Sequence, residues 1–159
     1  MIALYCVIVA LVVAIDQITK YFVVQNVKPQ GSVGFVPHVL DFVYSENRGV
    51  AFGLFQDATW LFIVLTSIVI VVFSFLLIKN YKTSKLFSVA SALIIGGGIG
   101  NLIDRIRLGY VVDFLQLSFF RPICNLADYA ITFGTVLLIV YLLFFYKPKK
   151  KKILNDENA

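Results

Sequence analysis

Four apolar segments of membrane-spanning length occupy most of this chain. They run from about Ile2 to Val24, from Ala58 to Ile78, from Leu86 to about Ile103, and from about Leu126 to Tyr146. A helix rises 1.5 Å per residue, so about 20 apolar residues cross the ~30 Å hydrocarbon core of a bilayer. The pattern predicts an all-α membrane protein with four transmembrane helices. We expect residues 1–159 to form a single membrane-embedded domain.

The composition supports a membrane location and excludes a nucleic-acid partner. The chain is 60% hydrophobic and 14% charged, whereas about a quarter of the residues of a typical soluble domain are charged. The net charge of +5 comes largely from the tail Lys147–Lys152 and from Lys79, Lys82 and Lys85 in one short loop. Basic clusters beside apolar segments are typical of anchors that face anionic lipid. We therefore expect contact with membrane lipid and no binding of nucleic acid.

The same lysines predict the orientation of the chain. With four spans both termini share one side, and the basic loop and tail fall on that side, which the positive-inside rule assigns to the cytoplasm. The opposite, extracytoplasmic side then holds residues 25–57 and the loop 105–124. The first apolar segment is interpreted as a retained helix, because it lacks a basic leading region and a small-residue cleavage site.

The first extracytoplasmic segment, residues 25–57, is predicted to be β-rich. Val33–Pro37 and Leu40–Tyr44 mix β-branched and aromatic residues with Gly and Pro turn signals. This pattern favours two or more short strands, whose apolar side chains would rest on the lipid surface.

Nine polar side chains, together with Gly49, gather near the extracytoplasmic ends of the predicted helices. They are Asp16, Lys20, Asn47, Gly49, Asn101, Asp104, Arg105, Asp113, Asn125 and Asp128. A carboxylate beside hydrocarbon is costly, so acids in this position indicate a functional site. Asp16 and Lys20 share a helix face at i, i+4 spacing, and Asn125 is a predicted N-cap.

Each of these residues also has a purely structural interpretation. Asp16 and Lys20 could form a snorkelling ion pair, Asp104 could pair with Arg105, and Asp128 could complement the dipole of the fourth helix. Only their shared depth in the membrane favours a common site.

Small residues recur every four positions along the third segment, at Ser88, Ala92, Gly96 and Gly100. Such a stripe lets another helix approach closely. Because Gly96–Gly98 would weaken an isolated helix, we expect this run to be buried against protein.

The types of residue available leave an aspartyl dyad as the favoured chemistry. The only histidine, His38, is remote from every motif, and Cys6 and Cys124 form no metal-binding pattern. Two carboxyl groups that share one proton hydrolyse a peptide bond without a metal or cofactor. Asp113 and Asp128 are the candidate pair, and Asn101, Arg105 and Asn125 are candidate donors to them.

The ordered motifs resemble those of lipoprotein signal peptidase (signal peptidase II). They are Asp16-Gln17-x-x-Lys20, Asn47-x-Gly49-x-Ala51-Phe52, Gly97-x-x-Gly100-Asn101-x-x-Asp104-Arg105, Val112-Asp113-Phe114 and Asn125-x-Ala127-Asp128. A single motif of this kind is weak evidence for a family, but five motifs in the same order over the whole chain are specific evidence. The chain departs from the family pattern at Val50, Cys124 and Tyr129, which flank matched residues.

The resemblance implies an intramembrane aspartyl endopeptidase of the bacterial cytoplasmic membrane, with its active site near the extracytoplasmic face. It implies cleavage of diacylglyceryl-modified prolipoproteins just before the lipidated lipobox cysteine. It assigns catalysis to Asp113 and Asp128, gives the other gathered residues supporting roles, and places the strands as a cradle above the site. It implies inhibition by globomycin and no cofactor or metal, and we expect a monomer.

Two other classes of function fit parts of the sequence. A small proton-coupled carrier or channel subunit would also place acids in the membrane, but it would spread them over several depths. A non-enzymatic scaffold would use the glycine stripe for assembly, and its acids would be functionally silent.

Overall fold

The computed structural model describes residues 1–49 and 59–146, which form four long helices and a four-stranded antiparallel sheet. The elements are α1 (Ile2–Asn26), β1 (Ser32–Val36), β2 (Leu40–Asn47), α2 (Thr59–Asn80), α3 (Lys85–Leu108), β3 (Val111–Leu117), β4 (Phe120–Cys124) and α4 (Leu126–Val140). A 3₁₀ turn follows α1 at Lys28–Gln30, and one π-helical turn extends α4 over Tyr141–Phe145. All four helices are long and apolar enough to cross a membrane, so the predicted number of membrane helices is confirmed.

The helix α3 is the centre of the bundle and packs against α1, α2 and α4. Within its most apolar stretch 67% of the residues are buried inside the protein, against 6–11% for the other three helices. The large apolar side chains on α1, α2 and α4 are mostly exposed, as expected for helices that face lipid.

The consecutive glycines of α3 allow this central position. A Cβ on Gly96 would touch Val12 of α1, one on Gly97 would overlap the backbone oxygen of Ala127 in α4, and one on Gly98 would touch Ile70 of α2. The three glycines therefore face three different helices, and their predicted burial against protein is confirmed.

The sheet has the order β1-β2-β3-β4, so its two halves come from different parts of the chain. The connection between α1 and α2 supplies β1 and β2, which confirms the prediction of strands in this segment. The connection between α3 and α4 supplies β3 and β4. The central pairing of β2 with β3 places Ser45 opposite Asp113.

The interpretation of residues 105–124 as a loop was wrong. The helix α3 continues past Ile103 to Leu108 and ends at Gly109, whose φ of +81° suits glycine. The strands β3 and β4 follow directly. The first four residues of β3 are buried on both faces, so they lack the alternation of a half-buried strand. The fold is therefore not purely α-helical.

An apolar cluster attaches the sheet to the bundle. Val23 and Val27, near the end of α1, pack with Val112 and Phe114 of β3. The end of the bundle that carries the sheet is called the sheet end below. Because the four helices alternate in direction, the first residue of α1 and the basic loop between α2 and α3 lie at the other end. The basic tail Lys147–Lys152 and the predicted motif residues Ala51 and Phe52 lie outside the described residues.

Candidate active site

Asp113 lies in β3 at the sheet end of the bundle and is 2% exposed. Side chains alternate along a strand, so Asp113 points away from its neighbours Val112 and Phe114, which pack on α1. Its Oδ2 accepts a hydrogen bond of 2.8 Å from Nδ2 of Asn47, and its Oδ1 accepts one of 2.6 Å from Nδ2 of Asn125. The side chain is thus fixed from two sides by amide donors.

The surroundings of Asp113 favour its protonated form. Burial in the protein, followed by the nearby charge of Asp128, raises the pKa of Asp113 from 3.8 to about 6. A carboxyl group with such a pKa can hold a proton near neutral pH, as general acid–base chemistry requires.

Asp128 occupies the first turn of α4, where a capping box fixes it. Asn125 is the N-cap, and its Oδ1 accepts a hydrogen bond of 2.9 Å from the backbone N–H of Asp128. In return the backbone N–H of Asn125 donates to Oδ2 of Asp128 at 3.1 Å. Oδ1 of Asp128 accepts a bond of 2.8 Å from Nδ2 of Asn101 in α3. Asn125 therefore contacts both acids directly, one through its side chain and the other through its backbone.

A buried ion cluster lies beside the two acids. Nζ of Lys20 contacts Oδ2 of Asp16 and Oδ2 of Asp104, each at 2.9 Å, and Oδ1 of Asn101 at 3.0 Å. Lys20 is 3% exposed. The snorkelling interpretation of Lys20 and Asp16 is therefore wrong, because a snorkelling lysine keeps its ammonium in water.

The structure brings nine of the ten predicted site residues into one network of hydrogen bonds. Gly49 joins it through its backbone, which donates to Oδ1 of Asn47 at 3.2 Å and so holds the amide that faces Asp113. Arg105 is placed differently. Its guanidinium lies 5.4 Å from the ring centre of Phe62, and Asp104 forms its ion pair with Lys20 rather than with Arg105.

The comparison with known proteins decides the family. A family model described as signal peptidase (SPase) II matches residues 8–144. The chain belongs to the signal peptidase II family. The predicted resemblance is confirmed, and the carrier alternative finds no support.

Relatives from this family match the chain over almost its whole length. A lipoprotein signal peptidase of Caldanaerobacter subterraneus is 47% identical over 87% of this chain and 94% of its own. One from Enterococcus faecalis is 41% identical over 95% of this chain and 94% of its own. The fold resembles a bacterial membrane enzyme solved by the in meso method at 2.3 Å resolution, with a TM-score of 0.80, 31% identity and coverage of 95% of both chains. Family membership makes the chain a multi-pass membrane protein and a protease of the aspartic type.

One polar residue of this chain, Gln17, was missed as a candidate site residue. Nε2 of Gln17 lies 3.0 Å from Oδ1 of Asp104 and 3.1 Å from the backbone oxygen of Gly100, and it also contacts Asp16. Gln17 thus links α1 to α3 within the ion cluster. The sequence could have indicated this role, because Gln17 is a polar residue between Asp16 and Lys20 in a membrane helix.

Gly100 belongs to the small-residue stripe and to a motif of the resemblance, and it also shapes the candidate site. A Cβ at this position would lie 2.5 Å from Oδ2 of Asp16. Glycine therefore allows the carboxylate of Asp16 to lie against the backbone of α3.

The structure gives Cys124 low reactivity. Burial, and the charges of Asp128 and Asp113 after it, raise the pKa of the Cys124 thiol. The thiolate is the reactive form of cysteine, so this shift makes Cys124 less reactive than an ordinary cysteine thiol.

Proposed function

We propose that this chain is an intramembrane aspartyl endopeptidase that removes the signal peptide from diacylglyceryl-modified prolipoproteins. It cleaves the peptide bond just before the lipidated cysteine. The observation that carries the proposal is the joint contact of Asn125 with Asp113 and Asp128, in a chain that belongs to the signal peptidase II family.

The two carboxyl groups divide the chemistry of hydrolysis. Asp113 holds the shared proton, which agrees with its pKa of about 6. Asp128 lies at a helix N-terminus, where the macrodipole favours negative charge. The ionised carboxylate takes a proton from water while the oxygen of that water bonds to the scissile carbonyl carbon. The protonated carboxyl gives its proton to the carbonyl oxygen.

The second half of the reaction returns the protons. As the tetrahedral intermediate collapses, one of its hydroxyl groups returns a proton to the carboxylate that had protonated the carbonyl oxygen. The C–N bond breaks, and the carboxyl group that was protonated by water gives that proton to the leaving amine. One product is the signal peptide with a new carboxylate, and the other is the lipoprotein with a free amino group on its lipidated cysteine. Asn47, Gly49, Asn101 and Asn125 hold the carboxyl groups in place for both steps.

The position of the acids at the sheet end suits a lipid-anchored substrate. The acyl chains of such a substrate remain in the bilayer while its peptide reaches the ends of the helices. We place the sheet end on the extracytoplasmic side of the bacterial cytoplasmic membrane and both termini in the cytoplasm, since the basic loop Lys79–Lys85 lies at the other end. Globomycin is the inhibitor expected to compete for this site, and the protein is expected to act as a monomer.

A gel-shift assay tests the function. Purified protein in detergent is mixed with a diacylglyceryl-modified prolipoprotein, with and without a metal chelator. We expect cleavage that is insensitive to the chelator, lost in Asp113→Asn and Asp128→Asn, and blocked by globomycin.

Two controls sharpen this assay. Asp41→Asn makes the same change in the sheet at a carboxyl outside the network and is expected to cleave normally. The unmodified precursor tests the need for lipid and is expected to remain intact. Folded parent protein that left the lipidated substrate uncut, or an Asp113→Asn variant that cut it at the parent rate, would disprove the proposed function.

A further inference from the structure

Lys20 is buried next to the two acids of the site but touches neither of them. Its ammonium carries three protons, and three acceptors surround it: Oδ2 of Asp16, Oδ2 of Asp104 and Oδ1 of Asn101. A buried ion pair costs considerable desolvation energy and contributes little net stability compared with apolar packing. Stability alone is therefore a weak reason for this cluster.

The two carboxylates that Lys20 holds each bind the strand or helix that carries one acid of the dyad. Oδ1 of Asp16 accepts a hydrogen bond of 3.0 Å from the backbone N–H of Ala127, the residue before Asp128. Oδ2 of Asp104 accepts one of 3.1 Å from the backbone N–H of Val112, the residue before Asp113. Lys20 lies between these carboxylates, so it connects the backbone on one side of the dyad to the backbone on the other.

The third contact of Lys20 fixes the direction of a side-chain amide. An ammonium can only donate, so the oxygen of Asn101 must face Lys20 and its Nδ2 must face away. That Nδ2 donates to Oδ1 of Asp128 at 2.8 Å. The oxygen of Asn101 also accepts a bond of 3.1 Å from Nδ2 of Asn125, the group that donates to Asp113. The charge on Lys20 thus orients the donors that face both acids.

We propose that Lys20 is a positioning residue that sets the separation and orientation of the Asp113–Asp128 pair, through Asp16, Asp104 and Asn101. This inference rests on the proposed function, because it assumes that the pair is catalytic. It predicts that changes at Lys20 reduce the rate of the chemical step in molecules that remain folded.

Lys20→Arg is the first variant. It keeps the buried charge, but a guanidinium is longer and planar and cannot place its donors where the ammonium has them. A misplacement of about 1 Å in a catalytic group costs up to about 100-fold in rate. We expect kcat to fall roughly 10- to 100-fold, with KM for the lipidated substrate within about threefold of the parent value.

A second variant keeps the test decisive if Lys20→Arg does not fold. The triple change Lys20→Met, Asp16→Asn and Asp104→Asn removes all three charges, and its amide oxygens can still accept from Ala127 and Val112. We expect this protein to fold and to show the same selective loss of kcat. The melting temperature and the elution volume of each variant measure the folded fraction, so that kcat refers to folded protein.

Two controls separate this inference from the proposed function. Lys79→Met removes an exposed lysine at the other end of the bundle and is expected to leave kcat unchanged. Asp113→Asn is assayed beside it on the same substrate. If Asp113→Asn is inactive while either folded Lys20 variant has the parent kcat, the positioning role is wrong and the function stands. If Asp113→Asn is active, the proposed function itself fails.

Discussion

At the scale of single residues, Asp113 shows how the fold changes the chemistry of a common side chain. The carboxyl is 2% exposed, it accepts two amide hydrogen bonds, and it faces the charge of Asp128. Burial outweighs the amide donors, so its pKa rises to about 6. The same shift has a consequence for stability, because folding and protonation are linked.

We predict that Asp113→Asn gains stability relative to the parent as the pH rises. In the unfolded chain Asp113 ionises near 3.8, whereas in the folded protein it ionises near 6. The folded state therefore binds the proton more tightly, and the parent loses stability as the pH rises between these values, by up to about 3 kcal/mol. Asparagine does not titrate, so the melting temperature of Asp113→Asn should rise relative to that of the parent as the pH increases from about 4 to about 6.

The measurement is thermal unfolding in detergent over this pH range, with Asp41→Asn as the control. Asp41→Asn should follow the parent curve. If the curves of Asp113→Asn and the parent run parallel, the pKa of Asp113 is not raised in the folded protein.

At the scale of single elements, the first turn of α4 combines a helix cap with the site. The side-chain oxygen of Asn125 accepts from the free N–H of Asp128, as an N-cap does, and its Nδ2 donates to Asp113 and to Asn101. The central helix α3 begins at the end of the bundle away from the sheet and has an ordinary N-cap there. Oγ of Ser84 accepts a hydrogen bond from the backbone N–H of Phe87 at 3.2 Å. Ser84 is therefore a control for Asn125, because it caps a helix without contacting either acid.

We predict that Asn125→Ala and Ser84→Ala both lose the stability of an N-cap but differ in activity. The loss of stability should be larger in Asn125→Ala, which also removes a hydrogen-bond partner from the buried side chains of Asp113 and Asn101. Loss of an N-cap costs about 1 kcal/mol, which both variants should show as a lower melting temperature. Only Asn125→Ala also removes the group that contacts both acids, so its kcat should fall by about 100-fold or more. Equal activity of the two variants would mean that Asn125 acts only as a cap.

The glycines of α3 give a second prediction at this scale. A Cβ on Gly97 would overlap the backbone of α4 at Ala127, whereas one on Gly98 would lie 3.2 Å from a side-chain carbon of Ile70, which can move. Gly98→Ala should be neutral or slightly stabilising, since alanine favours a helix by about 1 kcal/mol. Gly97→Ala should destabilise by about 1–3 kcal/mol and lower activity, because Ala127 precedes Asp128.

Melting temperatures and turnover of the two alanine variants check this difference. Both variants gain the same helix propensity. The difference between their melting temperatures therefore measures the contact that each alanine makes with its neighbouring helix. Similar melting temperatures for Gly97→Ala and Gly98→Ala would show that α3 and α4 are not in backbone contact at Gly97.

At the scale of the whole molecule, the sheet joins the two chain connections at one end of the bundle. The pairing of β2 with β3 places Asn47 opposite Val111 and Ser45 opposite Asp113. Asn47, which follows α1 in the chain, can therefore donate to an acid that follows α3. The candidate site therefore forms only where these two halves of the chain meet.

We predict that the sheet end lies outside the cytoplasm. Thr83, in the basic loop, and Ser118, in the turn between β3 and β4, are both exposed and lie at opposite ends of the bundle. Single cysteines at these positions, with Cys6 and Cys124 replaced by serine, can be labelled in intact bacteria with a membrane-impermeant maleimide. Ser118→Cys should be labelled in intact cells and Thr83→Cys only after lysis. The reverse pattern would invert the proposed topology.

The sequence by itself determined the membrane helices and the family, and it singled out the polar residues of the candidate site. Membrane spans are readable because length and apolarity alone fix them, and the acids stand out because charge is rare beside hydrocarbon. The strands β1 and β2 were predicted from local composition and turn signals.

Only the tertiary structure decided how the polar residues are connected. The strand β3 was missed because its first residues are buried on both faces, by partners that lie far away in the chain. The pairing of Asp104 with Lys20 rather than with the adjacent Arg105 depends on the packing of α1 against α3. The hydrogen bond from Ala127 to Asp16 joins residues 111 positions apart. Local sequence patterns cannot predict contacts between residues so far apart in the chain. The residue types of a site follow from its chemistry, but its geometry follows from long-range packing.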